Sequence, residues 1–188
     1  MNDQTAARGA PGRPIELRLD PAPAKKELDE ILAKTLLEDG EPLMIFQILA
    51  HNPRLLRRFN SLGGLFRISE ITDLRSREVI ILRMAVLADC PFEFDQHQHV
   101  AAEAGMSEPV IRALRYGETD VLDESDRLLV QLTDDIYDFD CVQDATWDSL
   151  AQRWTPPELL ELVVTAAFFR LAAVVVNSIG IRPDWPSR

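Results

Sequence analysis

From residue 25 onward apolar side chains return every three or four positions, and no stretch alternates apolar and polar residues long enough to argue for a sheet. The period predicts helices over 25–38, 42–50, 53–66, 74–88, 91–105, 108–116, 124–137, 143–152 and 156–178. Punctuation supports several of them. Thr155-Pro156-Pro157-Glu158 places a capping threonine, a first-turn proline and a glutamate at the third helical position, which is a capping box. Asp123 can cap with Asp126 three residues on, Ser107 can cap ahead of Pro109, and Gly105 and Gly117 stand where helices should end. The fold class is therefore all-α, a single-domain helical bundle.

Two of these helices are apolar on nearly every face: 74–88, with Val79-Ile80-Ile81-Leu82 and Met84-Ala85-Val86-Leu87, and 156–178, with Leu162-Val163-Val164, Phe168-Phe169 and Val174-Val175-Val176. Such helices are buried all round. Two of them in so short a chain exceed what the remaining helices can cover, so the pattern predicts a subunit interface and a homo-oligomer. The most apolar stretch, Leu162 to Ile181, is interrupted by Arg170, and neither uncharged half reaches the roughly 20 apolar residues that span a bilayer. No membrane partner is expected.

Composition narrows the setting. The 188 residues, 46% of them hydrophobic, suffice for one continuous core. A net charge of -11, from 31 acidic and 20 basic side chains, opposes any broad phosphate-binding surface, which discounts nucleic acid as a partner. Two cysteines, Cys90 and Cys141, are too few for a disulfide framework, and the N-terminus lacks a secretory pattern, so a reducing cytoplasm is expected. Residues 1–24 hold Gly9, Gly12, Pro11, Pro14, Pro21 and Pro23 with little apolar period and are expected to form a tail, or an arm along a neighbour, ahead of a domain over 25–188.

Candidate chemistry gathers in Cys90-Pro91-Phe92-Glu93-Phe94-Asp95-Gln96-His97-Gln98-His99, which holds two of the three histidines and one of the two cysteines. Glu93 and His97 lie one helical turn apart and share a face, whereas His97 and His99 stand about 200° apart by the 3.6-residue period. A carboxylate beside an imidazole fixes the ring and raises its pKa, giving a group that exchanges protons near neutrality. The bland alternative is a surface ion pair, which is common and weak. Phe92 and Phe94 around the glutamate turn the balance toward a core-facing site. Asp95 and His99 share the spacing on the other side and read as solvated. Glu78, in the first turn of an apolar helix, either helps build the site or is a helix N-terminal acid favoured by the dipole, flanked by Arg75 and Arg77 and paired with Arg83. Cys90 at a helix start can be activated by that dipole, although a buried packing role carries more weight. Glu93 and His97 have usable metal-ligand geometry, but no third ligand is close in sequence and His51 is remote, so no metal is expected. Gly63-Gly64 lacks the lysine and further glycines of a phosphate loop, and no nucleotide cofactor is implied.

Arg77-Glu78, an apolar helix, Cys90-Pro91-Phe92-Glu93-Phe94-Asp95-Gln96-His97, then Ala101 and Gly105-Met106-Ser107, together resemble the core signature of the carboxymuconolactone decarboxylase and alkylhydroperoxidase D superfamily. Phe168-Phe169 and Asn177-Ser178-Ile179-Gly180 are similar to the aromatic pair and Asn-x-x-Gly that close many such domains, and the likeness runs from about Pro53 to Ile181. The peroxidase branch resembles a relay of a glutamate, a Cys-x-x-Cys pair and a histidine; the matching positions here are Glu78, Cys90, Glu93 and His97. Glu93 thus stands where the second cysteine would be. This departure favours the decarboxylase-like branch, and the resemblance implies trimers or hexamers. The implied activity is a cofactor-free lyase acting on a small organic acid or lactone, with His97 giving the proton, Glu93 orienting it, Glu78 tuning the pair, and Arg83 or Arg67 available to hold a carboxylate. A thiol-dependent peroxidase using Cys90, resolved by Cys141 or an external thiol, is the alternative.

Overall fold

The computed structural model describes residues 16–23, 42–118 and 120–183. Among them are eight helices and no β-strand: α1 Met44–Leu49, α2 Pro53–Ile68, α3 Leu74–Leu87, α4 Pro91–Glu103, α5 Glu108–Tyr116, α6 Glu124–Phe139, α7 Asp144–Leu150 and α8 Pro156–Ile179. Each matches a predicted helix to within two residues at either end. The helix expected over 25–38 lies outside the described residues, as does the segment 1–15. The described part of the proline-containing segment runs along its own chain: the Arg18 N–H donates to the Ile179 carbonyl at 2.9 Å and the Ala22 N–H to that of Gln47 at 3.1 Å.

Local capping chemistry explains where the helices start. Asp123 accepts the Asp126 N–H at 2.8 Å, and Glu158 accepts both the backbone N–H and the hydroxyl of Thr155, at 2.7 and 2.6 Å. Asp73, which the sequence reading passed over, accepts from the Ser76 N–H and hydroxyl and fixes the start of α3. Ser107 occupies the N-cap of α5, but its hydroxyl makes no capping bond. Gly117 ends α5 in the left-handed region at φ +74°, a conformation that costs glycine little.

The bundle is organised around α3, which packs against α4, α6 and α8 and, over a smaller area, α5. Val79, Ile80, Leu82 and Met84 are all fully buried, so the chain covers this helix with its own elements. Exposed apolar surface remains on α8, at Leu160, Leu171 and Val174, and on α2, at Leu55, Leu62, Leu65 and Ile68. With Arg170 included, α8 meets the length and hydropathy of a bilayer span, yet half of that window is buried in the bundle, and Arg170 bonds to Asp140 and stacks over Tyr137.

Charged groups staple the helices where apolar packing ends. Glu161 of α8 accepts from the Ser69 hydroxyl, from the Thr72 N–H and hydroxyl, and from Arg77 of α3 at 3.4 Å. Burial opposes its ionisation, but the Ser69 and Thr72 hydrogen bonds and the Arg77 charge outweigh it, holding the carboxyl below its ordinary range. Arg75 makes a two-pronged bond to buried Asp126 and Arg83 another to Asp134, both on α6.

Candidate active site

Two helices meeting through a three-residue connection build the site. α3 ends at Leu87, and α4 begins at Pro91, whose fixed φ suits a first helical position. Between them Asp89 takes a left-handed φ of +46°, and Asn177 of α8 donates to the Ala88 carbonyl at 2.9 Å. That bond gives the Asn-x-x-Gly element a physical task, because it ties the end of α8 to the turn from which α4 departs. Gly180, the last residue of the element, caps α8 at φ +87°.

His97 lies between two carboxylates. Its Nδ1 is 2.9 Å from Glu78 Oε2, and its Nε2 is 3.7 Å from Glu93 Oε2. Glu78 and Glu93 are 2% and 7% exposed, while the His97 side chain retains 19% and so faces an opening. Phe169 of α8 meets the imidazole edge-on, with ring centroids 4.9 Å apart and planes at 86°. Behind it Phe168, Phe66 and Phe59 form a continuous aromatic stack. Gly63 makes the stack possible, since a Cβ there would stand 3.1 Å from the Phe168 ring.

The electrostatics follow from this geometry. Burial disfavours the charged imidazole, but Glu78 through its charge and hydrogen bond, together with the charge of Glu93, outweighs burial and the opposing charge of Arg67, raising the His97 pKa above its ordinary 6.5. Burial pushes the Glu93 carboxyl above its ordinary 4.5; His97 pulls it down and Glu78 pushes it further up. The bond to Glu78 occupies Nδ1 and leaves Nε2 as the nitrogen that faces Glu93 and can meet a reactant. A group arranged so can exchange a proton at Nε2 while its ring is held by a carboxylate that solvent does not reach.

The structure brings Glu78, Glu93 and His97 together but reverses the expected order of the two acids. Glu93, the neighbour by helical spacing, stands beyond hydrogen-bond distance, and Glu78, nineteen positions away, holds the ring. The rival view of Glu78 as an acid among arginines fails because Arg75, Arg77 and Arg83 each pair with another carboxylate. Cys90, 1% exposed, packs in a second apolar cluster with Phe92, Ala173 and Val176. Cys141 is exposed. Asp95 accepts from Gln98 at 3.0 Å rather than from His99, which is exposed, and His51 bonds to the Asp20 carbonyl. Of the two candidate carboxylate holders, Arg83 is taken by Asp134, while Arg67, exposed on the last turn of α2, acts electrostatically on His97. Missed altogether was the aromatic wall from α2, whose Phe59 and Phe66 carry no signal beyond ordinary core periodicity.

The sequence matches no protein-family model and no curated protein. Solved structures share its fold at low identity. A peroxidase-related protein with an alkylhydroperoxidase AhpD core from Ralstonia eutropha JMP134 superposes with a TM-score of 0.78 over 91% of this chain and 93% of its own, at 19% identity. A peroxidase-related protein from Silicibacter sp. TM1040 gives 0.77 over 94% and 96%, at 14% identity. A cysteine-to-alanine variant of a debrominase, crystallised with 2,3,4-tribromopyrrole, gives 0.72 over 90% and 94%, at 12% identity. The chain therefore has the alkylhydroperoxidase D-like all-α fold.

Proposed function

We propose that this protein is a cofactor-free acid-base enzyme, a decarboxylase-like lyase acting on a small organic acid or lactone, with His97 as its proton-transfer group. The observation that carries the reading is the imidazole held between buried Glu78 and Glu93, at 2.9 and 3.7 Å. A raised pKa favours the protonated ring, which is the state a general acid needs. When the substrate carboxylate leaves as carbon dioxide, its bonding electrons pass into the adjacent unsaturated system. The proton on Nε2 then goes to the resulting carbanion or enolate carbon, and water restores it. Nδ1 stays bonded to Glu78 throughout, so the ring keeps its orientation. Glu93 beside Nε2 stabilises the proton there through its charge and helps recharge the ring after that proton is delivered, while burial raises its own pKa.

A thiol peroxidase reading rests on a different observation: Cys90 occupies the N-cap of α4, where aligned peptide dipoles favour a thiolate, and solved structures of this fold include peroxidase-related proteins. Peroxide would oxidise the thiolate to a sulfenic acid with loss of water, and an external thiol or Cys141 would reduce it. Against this stand the 1% exposure of Cys90 and a glutamate at the fourth position of Cys90-Pro91-Phe92-Glu93. The two readings separate in one assay. Unsaturated lactone acids and aromatic or β-keto acids are screened for turnover, and the best is compared in Cys90→Ser and His97→Ala. We expect His97→Ala to lose on the order of 10²–10⁴ in rate and Cys90→Ser to lose little. A silent His97→Ala beside a dead Cys90→Ser would move the chemistry to sulfur.

A further inference from the structure

We infer that Arg67 is the anion-recognition residue of this site, gripping a non-reacting anionic group of the substrate at the opening beside His97; the inference rests on the acid-base reading above. Its position comes from packing. Arg67 lies in the last turn of α2, next to Phe66, whose ring stacks on Phe169 at 6.2 Å, and Phe169 in turn meets the His97 ring at 4.9 Å. The end of α2 is thereby held near the His97 ring through Phe66 and Phe169.

The second observation is that Arg67, like Arg54, Arg57, Arg58 and Arg115, forms no ion pair with a carboxylate among the described residues. In a chain with 31 acidic side chains, Arg75, Arg77, Arg83, Arg112, Arg153 and Arg170 each pair with a carboxylate. Among the described residues Arg67 is the cation whose charge acts on His97. An anion approaching Glu78 and Glu93 meets repulsion unless a positive group receives it, and a guanidinium supplies two parallel donors for a carboxylate. The group gripped is not the one that departs, because an ion pair stabilises a carboxylate against loss of carbon dioxide. A helix C-terminal arginine favoured by the dipole is the plainer role, but that role is filled equally well by lysine and binds nothing.

Equilibrium binding tests the assignment without requiring turnover. Benzoate and neutral benzamide are titrated into the full chain while the His97 ring resonances are followed by NMR, identified by their loss in His97→Gln. Benzoate should shift them saturably and benzamide should not. Arg67→Gln should weaken benzoate binding at least tenfold, on the scale of one charge-assisted pair, with Arg67→Lys between the two. Benzoate binding equally to Arg67→Gln, benzamide binding as well as benzoate, or no benzoate response in the parent protein would each overturn the inference. Any of these can occur while His97→Ala still abolishes turnover, so this failure is distinguishable from failure of the acid-base reading.

Discussion

At His97 the two glutamates contribute unequally, and the inequality is measurable. Glu78 acts through both charge and a 2.9 Å hydrogen bond, whereas Glu93 acts through charge from 3.7 Å. Glu78→Gln should therefore lower the His97 pKa more than Glu93→Gln does, and Arg67→Gln should raise it; an NMR titration of the ring orders the three. The same shifts set the pH dependence of stability. His97 and Glu93 both bind their protons more tightly folded than unfolded, so the stability they contribute is present below their ordinary values of 6.5 and 4.5 and is lost as pH rises through the higher folded ones. Glu161 and Asp135 are held below their ordinary 4.5 and 3.8, although burial opposes this in both, and their contribution is lost as pH falls. Denaturant midpoints should peak in mildly acidic solution, and His97→Gln should flatten the decline above pH 6.5. An equally steep decline in that variant would show that another group governs it.

Among the elements, α2 carries two adjacent interior glycines with opposite surroundings. A Cβ at Gly64 meets nothing within 4 Å, while one at Gly63 stands 3.1 Å from the Phe168 ring. Gly64→Ala should stabilise the protein by about 0.5–1 kcal/mol through helix propensity alone. Gly63→Ala should forfeit that gain by pushing Phe168 into Phe169, the ring that meets His97, and thereby slow turnover as well. Thermal melts and rates of the two variants make the comparison. A costlier change lies just beyond the C-terminal end of α2, where Glu161→Ala on α8 would leave Arg77 buried without its carboxylate and should cost about 3–5 kcal/mol. Helices such as α5 and α8 were legible in the sequence because period and caps are local: Thr155 and Glu158, or Gly117, act within one turn of the boundaries they set. Glu93 and His97 were legible for the same reason. The bond between Glu78 and His97 was not, since it depends on how α3 crosses α4, and no spacing within either helix encodes that crossing. The burial of α3 was read correctly from its apolar faces, but its cover comes from within the chain, a matter of how far α4, α6 and α8 wrap it.

For the whole molecule, part of the apolar surface left over is a seam on α8, the rest being chiefly Leu55, Leu62, Leu65 and Ile68 of α2. Leu160, Val164, Ala167, Leu171, Val174 and Ser178 follow one another at intervals of four and three residues, the heptad spacing that keeps one stripe in line along a helix. The first five are apolar, and of these only Val164 is less than exposed. The intervening positions Leu162, Ala166, Phe169, Ala173 and Val176 face the core, so α8 cannot turn its outer stripe inward without surrendering that packing. Polar solvent on such a stripe is unfavourable at about 25 cal/mol per Å² of apolar surface, and a net charge of -11 spread over the remaining surface gives no comparable reason for chains to meet. For the homo-oligomer expected from surplus apolar helix surface, we propose the α8 seam as the contact, its heptad spacing giving it a continuous stripe. Leu171→Glu with Val174→Glu places charges on the seam and touches no residue of the Glu78, Glu93 and His97 centre. At micromolar concentration the parent chain should elute as a multimer of its 21.2 kDa subunit, and the double variant should elute as a monomer with unchanged helical circular dichroism. A parent protein that runs as a clean monomer, or a variant that remains assembled, would remove α8 as the contact.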